Sequence, residues 1–478
     1  MEILMQVFQS ISKNFLTQPA YFIGMLSFVG AILLKKRWYE ALSSFIKTAI
    51  GFLILTAGSG GLVQTFRPII ESIGLKFDRR IGVVDTYFML GQLYGDTGVY
   101  SIPGAVMWTM TAFIISFLVN LILVYFNKYT KCRTVYTTGH VLQGYSTMWT
   151  FMFYLVAPET RNFTYTFLVG LFIGIFTSIA SNLTVEATND LTDNAGFAVA
   201  HQQMFGILIT DKFAGKIGRK DEDIAKIKLP GALSIFSDNI VSIAVLLTLF
   251  IGPIMFMVGP ETLAKADASF KNSGMALWAY VLKSCLMFSV YMFILRQGVA
   301  LFVSELTAAF EGIKQKFLKN SIPAVDCAVT FNYAHPNVTM FGFVFGFLGQ
   351  IVAMALLLIF NSPLFLVPGF IPLFFDNATL AVFANNKGGR KAAMLIPFIS
   401  GFIQVMVSLV MLLWIHGVSG YELVAWPAMG DNNLMIAPLL YLTYLFNPYV
   451  VLALFTVLLI FIHIRHYMKH KEGYYDNI

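Results

Sequence analysis

Charge is scarce in this chain. Asp, Glu, Lys and Arg make up 12% of its 478 residues, about half the share of a soluble domain. A water-exposed globule of this length is therefore excluded. Cysteine is almost missing: Cys132, Cys285 and Cys327 are isolated and odd in number, so neither a disulfide framework nor a zinc-ligand spacing exists. Cys132 stands beside Lys131 and Arg133, whose charge could lower a thiol pKa. Enzyme signatures are absent as well. There is no GxxxxGK[ST], no GxGxxG after a strand, no HExxH and no GxSxG. No catalytic residue, cofactor or metal is expected, and no cleavable signal peptide is apparent.

Apolar residues are abundant: 57% of the chain, with mean hydropathy +0.73. They fall in runs of about 20 residues, the length that crosses a bilayer as helix. The reading is an all-α polytopic membrane protein with crossings over 19–35, 45–63, 103–126, 134–156, 162–180, 238–258, 275–296, 338–361, 365–383, 392–416 and 438–463. Residues 1–18 read as an interfacial helix and 464–478 as a cytoplasmic tail. Basic clusters at 35–37, 128–133, 212–228, 314–319, 387–391 and 463–471 all fall on one side if the N-terminus is outside and the C-terminus inside. The loop 417–437 holds Glu422 and Asp431 and no Lys or Arg, and falls on the other side.

Two stretches echo each other. ILTAGSGGLVQTFRPIIESI (54–73) and ILRQGVALFVSELTAAFEGI (294–313) share six of twenty positions, and each is followed by an acid after valine, Asp85 and Asp326. DNAGFAVAHQQ (193–203) and DNATLAVFANN (376–386) share five of eleven. Apolar halves that repeat with polar clusters at matching places suit a transporter built from inverted repeats, here 19–230 and 231–463. The polar stretches 85–101, 188–206 and 321–336 are expected to be re-entrant hairpins lining a wet cavity, with ordinary surface loops as the alternative.

Several residues are candidates for function. Glu305 lies in a long apolar helix, where an acid is costly; it either faces a cavity or forms an ion pair, with Arg296 or a neighbouring helix. Asp326 has no basic neighbour in sequence and would either accept hydroxyl hydrogen bonds or cap a short helix. His201, Gln202 and Gln203 combine donors and acceptors, as a ligand with alternating hydroxyls requires, or form a hairpin-tip network. His140 is either a ligand contact or a packed donor. Gly58-Ser59-Gly60-Gly61 would interrupt a helix, exposing backbone N–H groups or allowing close packing. The stretch 212–228, running on into LPGALSIFSDNIV, is a candidate docking surface for a soluble partner, or else a solvated face.

These segments resemble the ascorbate-specific IIC component of the bacterial phosphoenolpyruvate-dependent phosphotransferase system. The likeness is carried by IKTAIGFLILTAGSG (46–60), VDTY (84–87), TGH (138–140), DNAGFAVAHQQMF (193–205), KLPGALSIFSDNIVS (228–242), QGVALFVSELTAAFEGI (297–313), AVDCA (324–328) and PGFIPLFFDNATLAVFANNKGG (368–389). The resemblance implies an eleven-span homodimer in the bacterial inner membrane, with a core domain and a dimerisation domain. It implies elevator-like import of L-ascorbate or a related sugar acid, with phosphoryl transfer from a separate cytoplasmic IIB protein fed by IIA. It carries substrate contacts onto Gly58, Ser59, Thr86, Tyr87, His140, His201, Gln202 and Asp326. The family has Gln four residues after the GH histidine; here that place is Gly144, with Gln143 before it, and a one-residue slip would restore the amide. Asp85 and Glu305 are left as structural or coupling residues. The rival class is an ion-coupled transporter of a polyol or sugar acid that uses Glu305 or Asp326.

Overall fold

The computed structural model describes residues 19–93, 102, 104–227, 239–318, 321–368 and 371–476. The interfacial helix expected over 1–18, the end of the stretch 85–101 and the KLPGALSIFSD segment lie outside the described residues. In chain order the main elements are α1 (Pro19–Leu33), α2 (Trp38–Phe77), β1 (Arg80–Val84), α3 (Thr86–Leu93), α4 (Ala105–Tyr125), β2 (Thr134–Tyr136), α5 (Gly139–Val156), α6 (Phe163–Asn182), α7 (Val185–Thr192), β3 (Ala198–Val199) and α8 (Met204–Ile217). They continue with α9 (Asn239–Val258), α10 (Pro260–Ala266), α11 (Leu277–Phe317), β4 (Ile322–Val325), α12 (Pro336–Ile359), β5 (Leu364–Pro368), α13 (Ala378–Ser419), α14 (Ala437–Leu445) and α15 (Pro448–Lys469).

The chain is mostly helical. Among the described residues, five helical stretches are long and apolar enough to span a bilayer: Trp38–Phe77, Phe163–Thr192, Pro336–Ile359, Pro372–Ser419 and Pro448–Lys469. A sixth arises if Leu247–Val258 and Pro260–Ala266, bent by 98°, are taken together. The bend follows Gly259 at φ +79°, after which Pro260 starts the new helix. Helices α2 and α11 pack along each other with α1 against both; α12 packs on α13, and α4 on α6.

Four expectations need correcting. The segment 365–383 is not one continuous helix: it is strand β5, a π-helical turn Pro372–Asn377, and the start of α13. The segment 438–463 is two helices, because Pro448 cannot continue α14 and Asn447 instead caps α15 by accepting from the Tyr449 and Val450 amides. Gly58–Gly61 do not interrupt α2, which runs unbroken from Trp38 to Phe77. A Cβ on Gly61 would lie 2.1 Å from the Tyr291 ring, so close packing of α2 on α11 is what this glycine serves. The all-α class omits five short strands present among the described residues.

Those strands hold the irregular backbone together. β1 pairs in parallel with β5, Arg80 opposite Leu364 through Val84 opposite Pro368. β4 lies between β2 and β3, parallel to both. Backbone buried away from water must find partners inside the protein, and each strand satisfies a partner brought from far along the chain. The repeated DNA segment also behaves differently in its two copies. Asp193 and Asn194 have φ +51° and +65°, and Gly196 φ +78°; they turn the chain into β3. In the second copy Thr379 stands where Gly196 stands in the first, and the chain stays helical.

Candidate functional site

Asp85 follows β1. Its Oδ1 accepts from the Tyr87 and Phe88 amides at 2.8 and 3.1 Å, and its Oδ2 accepts from the Ile371 amide at 3.4 Å. It is the N-cap of α3, and it fixes Thr86 and Tyr87 beside the π-helical turn. Asp326 follows β4 in the same way. Its Oδ1 accepts from the Ala328 amide at 2.9 Å, so the capping role holds for one oxygen. Its Oδ2 is buried with no hydrogen-bond donor among the described residues and faces two imidazoles. The His140 Nε2 is 3.6 Å away and the His201 Nε2 4.0 Å.

The strand triplet brings these three together. Thr137 donates through its amide and its hydroxyl to the Ala324 carbonyl, Thr138 Oγ1 donates to the Ala200 carbonyl at 2.6 Å, and the Ala200 amide donates to Val325. His140 thus enters α5 where β2, β3 and β4 meet. His201 Nδ1 is 2.8 Å from Gln203 Oε1, and its ring stacks on Phe375 at 5.5 Å between centroids. Gln203 Nε2 donates to the Phe375 carbonyl at 2.6 Å. Gln202 Oε1 accepts from Asn432 Nδ2 at 2.9 Å.

A cavity of about 30 Å³ opens among them, room for one or two waters. Its polar wall is Thr86, Tyr87, His140, Gln143, His201 and Gln202, and Ile371, Phe375 and Met429 contribute apolar surface. The Thr86 hydroxyl is buried and has no hydrogen-bond partner among the described residues. Gly144 lines the same cavity, and a Cβ there would stand 3.7 Å from Gln202 Nε2. Gln143 and Gly144 therefore both border it. Gly58 and Ser59 are not among the lining residues.

Chemically, the site offers a carboxylate acceptor, two imidazoles, two amides and two hydroxyls against apolar walls. That set suits a compact ligand rich in hydroxyls. One donor atom each from His140, His201 and Asp326 lie within 4.8 Å of one another, so this trio could also hold a metal ion.

Other candidates fall elsewhere. Glu305 accepts from Ser44 Oγ at 2.7 Å and pairs with Lys47 Nζ at 3.1 Å, both on α2; the ion pair is with a neighbouring helix. Cys132 does not behave as its flanking charges suggest. It is buried, and burial pushes its thiol up to about 12, against the lowering pull of Arg133. Arg133 itself is engaged by Glu186 at 2.6 Å, and Lys131 lies 4.9 Å from the centre of the Tyr467 ring. Asp431, read as part of an outer loop, is fully buried. It caps α8 by accepting from the Met204 and Phe205 amides at 3.0 and 2.8 Å, and takes the Tyr145 hydroxyl at 3.1 Å. Its signal in the sequence is the Asp-Asn-Asn run set directly before apolar LMIAPLL.

Two comparisons bear on this site. Residues 14–430 match the family described as PTS system sugar-specific permease component (EIIC-GAT). A protein of Mycoplasma pneumoniae, named ascorbate-specific PTS system EIIC component, is 32% identical over 431 residues, which cover 82% of this chain and 65% of the relative. The chain thus spans about 65% of that relative's length. With the match running through α2, the His140, His201 and Asp326 elements and on to Gly430, the chain belongs to the family of PTS system sugar-specific permease components.

Proposed function

We propose that this permease component imports L-ascorbate, or a closely related sugar acid, across the bacterial inner membrane. The observation that carries the reading is the buried cluster in which Asp326 Oδ2, with no hydrogen-bond donor among the described residues, stands 3.6 and 4.0 Å from His140 and His201, two imidazoles that line the cavity. Thr86, Tyr87, Gln143 and Gln202 complete the substrate contacts. The name of the Mycoplasma relative supports ascorbate as the cargo. Gly58 and Ser59 join the site only if α2 moves toward it.

Two halves of opposite orientation form the transporter, 19–230 and 231–463, with eleven crossings, the N-terminus outside and the C-terminus inside. Matching successions support this: a 40-residue helix, a strand and capping Asp85 in one half, and a 41-residue helix, a strand and capping Asp326 in the other. The substrate enters from outside, the core shifts as a body past a dimerisation domain, and a separate IIB protein phosphorylates the sugar acid at the inner mouth. The phosphorylated product is too charged to return. Two subunits make the working dimer. The cavity is too small for a sugar acid as it stands, so the β4–Asp326 and His201 elements part when the substrate binds.

The test is uptake of labelled ascorbate by cells holding IIA and IIB. Phosphorylated ascorbate should accumulate inside, its formation should need IIB, and a protonophore should leave it intact. Unmodified ascorbate that leaks away with the ion gradient would overturn the proposal in favour of ion coupling.

A further inference from the structure

The chain has seven histidines, and three of them, His463, His466 and His470, fall in the last turns and end of α15. His466 and His470 are four residues apart, so their rings share one face of the helix; their centroids are 4.4 Å apart. Glu186, on the first turn of α7, meets that face, with its Oε2 2.9 Å from His466 Nε2. One donor atom from each of Glu186, His466 and His470 lies within 4.8 Å of the other two.

We infer that Glu186, His466 and His470 form a binding site for a divalent transition ion of the zinc class, separate from the substrate cavity. Two imidazoles and one carboxylate are the donor set such ions prefer, whereas calcium and magnesium favour oxygen donors alone. The surroundings orient the ligands. His470 Nδ1 is 3.1 Å from the His466 carbonyl; with the proton held there, Nε2 keeps a lone pair for the metal. Arg133 Nη2, 2.6 Å from Glu186 Oε1, holds the carboxylate by its other oxygen. The ion takes the place of the hydrogen between His466 Nε2 and Glu186 Oε2, and the His466 ring then carries its proton on Nδ1. All three ligands are only partly buried, which leaves a path for the ion and a fourth position for water.

The ion would clamp the C-terminal tail. Arg133 is buried, donates to the Tyr474 carbonyl and lies 3.6 Å over the Tyr474 ring, while the Tyr474 hydroxyl donates to the Lys131 carbonyl at 2.7 Å. The loop so clamped leads through β2 to His140, seven residues after Arg133.

The experiment uses the full-length chain in detergent, stripped with chelator. Zn²⁺ at roughly 100-fold excess over its dissociation constant should raise the melting temperature by roughly 3 °C, and Co²⁺ should give the visible absorption of an imidazole–carboxylate site. Both responses should vanish in His466→Gln/His470→Gln and persist in His140→Gln/His201→Gln, which removes the other histidine pair. His470→Gln alone, at a partly exposed position, should weaken the response at least tenfold and serves if the double variant fails to fold. Absence of a response in the native chain, or its survival in His470→Gln at full strength, would overturn the site. So would its loss in the His140/His201 variant alone, which would assign the ion to the substrate cavity.

Discussion

Asp85 and Asp326 occupy matching places after a strand, yet they divide the labour differently. Asp85 spends both oxygens on backbone amides, whereas Asp326 keeps Oδ2 facing the imidazoles of His140 and His201. Asp326→Asn should abolish ascorbate uptake, because an amide cannot supply a carboxylate acceptor beside His140 and His201, and Gln202→Ala should do the same by removing a cavity donor and leaving the Asn432 Nδ2 without its acceptor. Both variants should reach the membrane in normal amount, and normal uptake in either would remove that residue from the site. Asp85→Ala should instead destabilise the protein by ~1 kcal/mol through the lost cap, read as a lower midpoint in detergent denaturation. At Cys132 the raised thiol pKa leaves almost no thiolate at neutral pH. Cys132, Cys285 and Cys327 are all buried, so the native chain should resist maleimide and should label at three positions only after unfolding.

Helices and strands set where these side chains stand. α13 breaks at Gly389, whose φ is +58° and ψ −157°. A Cβ there would lie 2.1 Å from the Arg219 carbonyl oxygen, and the Arg390 amide donates to the Glu222 carbonyl at 2.7 Å. Gly389→Ala should cost ~1–3 kcal/mol from the backbone alone, with added overlap, and should lower the melting temperature; an unchanged melting curve would show that the bend tolerates a side chain. The contact of α2 with α11 is held partly by Glu305 against Lys47 and Ser44. Glu305→Gln keeps the Ser44 hydrogen bond, so uptake should persist at near-native rate. Loss of uptake with an intact fold would return Glu305 to a coupling role.

Across the molecule, parallel strand pairs link distant segments: β1 with β5, and β4 with β2 and β3. The cavity lies among the residues that follow those strands. Thr86 and Tyr87 arrive after β1, His140 after β2, His201 after β3, and Ile371 and Phe375 after β5, while Asp326, after β4, stands beside the two imidazoles. A movement that parts the strands or shifts them together against α2 and α11 therefore moves every cavity wall at once. If the proposed orientation holds, a reporter fused after Ile478 should be active in the cytoplasm and shielded from external protease; surface labelling of that reporter in intact cells would reverse the orientation.

The amino-acid sequence determined that this chain is a helical membrane protein of the PTS permease family, because long apolar runs and extended motifs survive as linear patterns. It also pointed to His140, His201, Gln202 and Asp326, since polar residues inside apolar segments are conspicuous wherever the chain takes them. Tertiary structure alone decided what surrounds them. Strands of two to five residues carry too short a pattern to read, and their pairing joins residues as far apart as Arg80 and Leu364. Gly58–Gly61 read as a helix interruption, for exposed backbone or close packing, yet α2 runs unbroken and Gly61 packs against Tyr291, because a glycine's role depends on what approaches it. Asp431 read as a loop acid and proved to be a buried cap, because burial is a property of the neighbours that fold over a residue and not of the residue itself.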